Sequence, residues 1–153
     1  MPKSASPFYD IRYHELQSKN CLLALCSLDY ILLISIKPQI NVIGKIIRPD
    51  GISLSHLPNV QMGRCFIDGL GYKNDVKPMY DVLVVSWGKS VYVYRFIPSA
   101  NSFCAIEQLF VYKHPTVVYN IEFLSENVFV TLDHHQVFRT LRIDITIPSI
   151  QSL

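Results

Sequence analysis

Three residue types that a cysteine hydrolase requires occur in this sequence: a thiol at Cys104, an imidazole at His114 and a carboxylate at Asp133. In such an enzyme the thiol attacks, the imidazole takes its proton and the third group orients the ring. The attacking species is the thiolate, which a helix N-terminus or neighbouring cations stabilise. Cys104 stands instead in an apolar, strand-like stretch, 103–112, with no cationic cluster beside it. A structural thiol is the favoured reading, and a small cytosolic hydrolase using Cys104 and His114 is the rival.

The adjacent pair His134-His135 has the residue type of a metal site, with Asp133 as the nearest further ligand. Adjacent residues on a strand face opposite sides, and in a tight turn both rings tend toward solvent, so chelation would need ligands from elsewhere. Gly69-Leu70-Gly71 lacks the third glycine of a dinucleotide fingerprint. Gly88-Lys89-Ser90 reads G-K-S but has no upstream glycine at the P-loop spacing, and strand formers follow it where a phosphate cradle needs a helix. The sequence therefore nominates no catalytic, cofactor-binding or metal-ligating residue.

The elements that would position any site are strands. Half of the 153 residues are hydrophobic and 17% are charged, with nine Tyr and eight Phe, so the chain must bury much of itself and leans toward β structure. Its central stretch, 81–96, reads D-V-L-V-V-S-W-G-K-S-V-Y-V-Y-R-F. The run Val82-Leu83-Val84-Val85 predicts a strand buried on both faces, and Gly88 supplies the positive φ of a tight hairpin turn. Alternation in the returning strand puts Tyr92, Tyr94 and Phe96 on one face and Val91 and Val93 on the other.

Further strands are predicted at 8–13, 22–26, 30–35, 40–47, 65–67, 103–112, 117–124, 128–132 and 137–145, with 48–60 irregular apart from a short turn near 53–57. Hairpins thus recur at 22–35, 82–96 and 128–142. The last two lie about 46 residues apart, near the period of a propeller blade. The apolar run 21–36 is shorter than the roughly 20 residues of a spanning helix and carries Asp29; a hairpin turning at Ser27-Leu28-Asp29 accounts for it. Asp10, Arg12, His14, Glu15 and Lys19 interrupt any signal-peptide core. The four cysteines form no C-x-x-C pair and are expected to be reduced, buried thiols. A net charge of +2, dispersed along the chain, gives no footprint for nucleic acid.

The runs 81–96 and 117–133, the latter V-V-Y-N-I-E-F-L-S-E-N-V-F-V-T-L-D, resemble two successive blades of the amino-terminal WD-repeat-like propeller of vacuolar protein sorting subunits. The resemblance is to the endosome-specific subunit of the CORVET tethering complex, with the vacuolar HOPS counterpart next. Ser86-Trp87-Gly88, and Phe123-Leu124 with Val128-Phe129-Val130, occupy the family's recurring places. No Trp-Asp dipeptide or Gly-His pair stands where ordinary WD repeats carry them.

The expected architecture is all-β: antiparallel meanders forming about three blades of a partial propeller over 8–147, between a flexible terminus, 1–7, and a flexible tail, 148–153. Closure needs about four blades or more, so another chain or further blades would have to complete the ring. The resemblance implies a non-catalytic scaffold in endosomal or vacuolar vesicle tethering. It is expected to be cytoplasmic and peripheral to those membranes, with tethering-complex subunits and a small GTPase as partners and no cofactor. Trp87, Tyr92, Tyr94 and Phe96 are the expected partner contacts, Trp87 either covering a blade end or docking another chain.

Overall fold

The computed structural model describes residues 7–37, 39–53, 55–66, 79–98, 104–144 and 149–152. Positions 1–6 of the expected flexible terminus and the Gly69-Leu70-Gly71 segment lie outside the described residues. Twelve strands are described, in three antiparallel sheets of four. Sheet 1 holds β1 (Asp10–Glu15), β2 (Cys21–Cys26), β3 (Tyr30–Lys37) and β4 (Asn41–Ile47). Sheet 2 holds β5 (Asn59–Phe66), β6 (Met79–Trp87), β7 (Ser90–Pro98) and β8 (Cys104–Lys113). Sheet 3 holds β9 (Val118–Ser125), β10 (Val128–Asp133), β11 (Phe138–Asp144) and β12 (Ser149–Ser152). Each sheet is a meander, its strands side by side in chain order, and this is the all-β blade arrangement read from the sequence.

Several strand bounds lie a residue or two from the sequence reading, β1 running Asp10–Glu15 where 8–13 is expected, and two segments differ in kind. The tail expected at 148–153 contributes β12, whose Ile150 pairs with Ile143. Strand β5 starts at Asn59, inside the segment read as irregular, because Val60 and Met62 are needed against the sheet 1 core although Gln61, Gly63 and Arg64 break any apolar run.

The sheets stack with like strands beside like strands: β1, β5 and β9 approach one another, and so do β4, β8 and β12. Sheet 2 is the middle layer, and its β6 alternates between two cores. Leu83, Val85 and Trp87 join Leu22, Ala24, Ile31 and Leu33 of sheet 1. Val82 and Val84 join Ile121, Phe129, Leu141 and Ile143 of sheet 3. The neighbouring β7 follows the same rule, with Tyr94 and Phe96 toward sheet 1 and Val91 and Val93 toward sheet 3. Burying one Leu or Val contributes about 1.5–3 kcal/mol, so these two apolar layers are the main source of the stack's stability.

Polar side chains fix the angle of each junction. Between sheets 1 and 2, the Asp81 carboxylate pairs with His14 Nε2 at 3.1 Å, accepts from the Gln17 amide at 3.0 Å and from Arg64 Nε at 3.3 Å. Arg64 also donates to the Glu15 carbonyl at 3.0 Å, so one carboxylate ties the end of β1 to β5 and β6. Between sheets 2 and 3, Asn127 adopts φ 65°, which Asn tolerates better than most side chains. Its amide group bridges two sheets, donating to the carbonyls of Phe66 and Ile143 and accepting from the Phe66 amide at 2.7 Å. Close approach adds a steric requirement at Gly63, where a Cβ would stand 2.8 Å from the Phe123 ring.

Burial pushes the Asp81 carboxyl up, but His14, the Gln17 amide and Arg64 outweigh it and hold it below its ordinary value of 3.8. The unfolded chain therefore binds this proton more tightly than the folded one, and the contribution is present above the ordinary value and lost as pH falls through the lowered one. Asp81→Asn is expected to cost about 2 kcal/mol at pH 7. The gap from wild type should narrow below about pH 4 in urea titrations run as a pH series; a gap independent of pH would refute the ionic staple. Burial likewise pushes the Cys26 and Cys65 thiols up to about 12. Both should resist alkylation at pH 7.5 in the native protein and react at the rate of global unfolding, read peptide by peptide in a mass spectrometer.

Candidate interaction site

Cys104 and His114 flank the ten-residue strand β8, the first opening it and the second following its last residue. At about 3.3 Å per residue they are roughly 30 Å apart along the sheet, and a nucleophile and its base need contact. His114 is spent elsewhere: it is buried, with Nε2 3.0 Å from Thr131 Oγ1 and Nδ1 2.9 Å from the Thr116 carbonyl. Burial, aided by Arg139, lowers its pKa against the opposing pull of the Thr116 carbonyl and Asp133. The ring is a neutral link between sheets 2 and 3.

Asp133 is fully buried, and its Oδ1 accepts from the amides of His135 at 2.9 Å and Val137 at 3.0 Å. Burial pushes its carboxyl up, yet those amides and Arg139 hold it below the ordinary value. It shapes the β10–β11 turn. His134 and His135 are exposed there, His134 meeting the Tyr119 hydroxyl at 2.8 Å. Among the described residues no three His, Cys, Asp or Glu side chains gather as a metal site would need. Gly88-Lys89 is the tight turn of the β6–β7 hairpin, Gly88 at φ 62°, with a strand after it.

Trp87 is wholly buried, and its indole N–H donates to the His56 carbonyl at 3.0 Å. Of the two roles open to it, covering a blade end is the one observed. Ile52 and His56, from the connection between β4 and β5, lie over this hairpin, both standing within 4.0 Å of where a Gly88 Cβ would be. Arg48 fixes this segment by donating to the Ile52 carbonyl at 3.1 Å. Tyr94 and Phe96 are also inside the core between sheets 1 and 2, and burial pushes the Tyr94 phenol up to about 12. Three of the four expected partner contacts are thus interior. Tyr92 stands partly exposed, packed against that core on one side and lining a cleft of about 360 Å³ with Lys89, Lys113, His56 and Asp50 on the other.

His56 also lines a second concavity, a groove of about 180 Å³ between Tyr9, Leu57, Asn59 and Tyr119. Tyr9 precedes β1, Leu57 precedes β5 and Tyr119 lies in β9, so the groove crosses all three sheets. Its three large side chains remain 44%, 47% and 54% exposed, respectively. They are nevertheless held: the Tyr9 hydroxyl donates to the Pro58 carbonyl at 2.6 Å, and Tyr119 meets His134. A volume below the roughly 300–1,000 Å³ of small-molecule pockets suits one inserted side chain, and exposed tyrosines on rigid backbone are typical protein-contact residues. The two concavities share His56, the groove being lined by aromatic and aliphatic side chains and the cleft carrying Lys89 and Lys113.

Sequence reading missed Tyr9, His56, Leu57 and Tyr119. They come from separate segments with no shared motif, and 48–60 was read as irregular. Trp87 supports this surface from below, so its truncation should be felt in both stability and binding. Trp87→Ala is expected to cost about 3 kcal/mol, the usual range for a buried aromatic, with native indole emission well to the blue of hydrated indole. An unshifted melting temperature would contradict the buried placement.

Among the described residues no helix is long and apolar enough to cross a membrane. A comparison with curated proteins finds no match. The family described as the Vps8 beta-propeller matches residues 6–147, which takes in all three sheets up to the end of β11. With a match over most of its length and a fold of stacked four-stranded meanders, the chain belongs to the Vps8 beta-propeller family, the propeller of a vacuolar sorting subunit.

Proposed function

We propose that this chain is a non-catalytic interaction scaffold in a vesicle-tethering subunit, acting in endosomal or vacuolar protein sorting. On this reading it is cytoplasmic and reaches the membrane only through partners, namely other subunits of a CORVET- or HOPS-type complex and a small GTPase. The observation that carries the reading is the groove of Tyr9, Leu57 and Tyr119, running over three rigid sheets beside the Tyr92 cleft. It offers anchoring side chains at little entropic cost, because the tyrosines are already fixed by hydrogen bonds. Tyr92 is the sequence-nominated residue that keeps a partner-facing edge, while Trp87, Tyr94 and Phe96 act from beneath. Lys89 and Lys113 add positive charge that steers an acidic partner.

The test is binding of the immobilised chain to purified tethering-complex subunits and to a GTP-loaded endosomal GTPase. Leu57→Ala combined with Tyr119→Ala should weaken capture of the true partner by at least about thirtyfold, because anchors of this kind are worth about 2 kcal/mol or more. The melting temperature should move little, both residues being half exposed. Undiminished capture by this variant, or no capture by the wild-type chain, would defeat the proposal.

A further inference from the structure

The cleft beside Tyr92 brings two cations together on fixed backbone. Lys89 stands in the β6–β7 turn, and Lys113 ends β8 as the cross-strand partner of Ser90. The Lys89 carbonyl accepts from the His114 amide at 2.7 Å and the Gly88 carbonyl from the Val118 amide at 3.0 Å, which ties the turn to the end of β8. Among the described residues neither ammonium is in an ion pair. Lys113 Nζ donates instead to Ser90 Oγ at 2.7 Å, and Ser90 is only 5% exposed. An oxygen that accepts from Lys113 still has its own proton to give. Asp50 lines the same cleft without pairing to either lysine. Like charges side by side repel, so two held ammoniums in a concavity of about 360 Å³, large enough for a ligand, mark a place for an anion. Every lining residue belongs to sheet 2 or to the connection before it, and sheet 2 is packed on both faces.

We infer that this cleft takes a phosphorylated serine or threonine of a partner protein, Lys89 and Lys113 clasping the phosphate while the Ser90 hydroxyl donates to it. A phosphate monoester carries a charge of about −1.5 to −2 at pH 7 and three acceptor oxygens, which suits two ammoniums and a hydroxyl better than the single charge of a carboxylate does. Lysine serves such a group as a point charge. A membrane surface fits less well, because basic patches that bind anionic lipid gather about four to eight Lys or Arg, and this cleft holds two beside an aspartate. The neighbouring groove decides for a protein. It shares His56 with the cleft and has room for one side chain, so a single peptide can place an apolar residue in the groove and a phosphorylated one in the cleft. The inference rests on the scaffold reading and names the chemistry by which the partner is recognised. A probe that contains no tethering subunit and no apolar anchor lets the two fail separately.

That probe is N-acetyl-phosphoserine methylamide, titrated into the full chain and followed by nuclear magnetic resonance. Amide shifts should concentrate at Gly88, Lys89, Ser90 and Lys113 and saturate with a Kd of about 1 mM, as befits one anchored group. The unphosphorylated serine compound should leave them unmoved, and the aspartate compound should bind at least about threefold more weakly. Lys89→Gln and Lys113→Gln should each weaken binding about tenfold, the loss of one charge-assisted contact. Asp50→Asn should strengthen it about threefold by removing a repulsion, a gain that damage to the fold would not produce. Lys113→Gln also gives up the bond to Ser90; if it does not fold, Lys89→Gln, at an exposed turn residue, carries the test. Shifts that do not saturate by about twenty times the expected Kd, or binding indifferent to Lys89→Gln, would overturn the inference. Equal binding of the aspartate compound would overturn it in favour of a carboxylate site. Sedimentation with phosphatidylcholine vesicles containing phosphatidic acid, abolished by Lys89→Gln and unaccompanied by binding of the probe, would overturn it in favour of a membrane surface.

Discussion

Strand β6 buries both of its faces, and the rest of the molecule follows from that constraint. Val82, Leu83, Val84, Val85 and Trp87 are all fully buried, and side chains on a strand alternate sides, so no single packed partner can cover them. Two further sheets are required, one for Leu83, Val85 and Trp87 and one for Val82 and Val84. A strand buried on both faces is familiar from parallel sheets covered by helices. Here the covering layers are themselves antiparallel meanders. The result is a stack in which the middle blade is complete and each outer blade has one covered face.

Apolar layers alone would let the sheets slide, since burial is proportional to area and carries little direction. The polar groups at the junctions supply the direction. Asp81 accepts from groups on both sheets it joins, and Asn127 uses both ends of its amide between β5 and β11. Both residues are nearly buried, so each leaves an unsatisfied polar group behind if its sheet shifts. Gly63 works through sterics: the Phe123 ring occupies the space a side chain would take, and β5 and β9 come close enough to share a core.

The interaction surface is a consequence of how the blade end at Trp87 is sealed. The indole has one polar atom, and its N–H finds the His56 carbonyl in the segment joining sheets 1 and 2. That segment must therefore fold back over the hairpin, and in doing so it sets His56 between two concavities and Leu57 beside Tyr9 and Tyr119. Rigidity of the groove is borrowed from the core beneath it. The pairing of Cys104 with His114 has no comparable foundation, because the two residues stand at opposite ends of β8, His114 just beyond its last residue.

Local pattern determined much of this. The apolar run 82–85, the Gly88 turn and the aromatic and valine alternation of β7 specify a two-faced hairpin, because strand periodicity and turn chemistry are set by neighbouring residues. The recurrence of such hairpins made the three meanders legible, and 81–96 with 117–133 carried the family resemblance. Tertiary structure decided the rest. Strand β5 exists because Val60 and Met62 find a core, although Gln61, Gly63 and Arg64 give it no apolar run of its own. Strand β12 exists because the free edge of β11 offers backbone partners to a segment with too few apolar residues to announce itself. Sequence likewise put Tyr94 and Phe96 on one face without saying whether water or a sheet lay beyond, and that depended on sheet 1, whose first strand begins 84 and 86 residues before them, respectively. Tyr9, Leu57 and Tyr119 carry no shared signal for the same reason: they become neighbours only when three sheets are stacked, and no spacing along one chain encodes a contact that several separate burials create together.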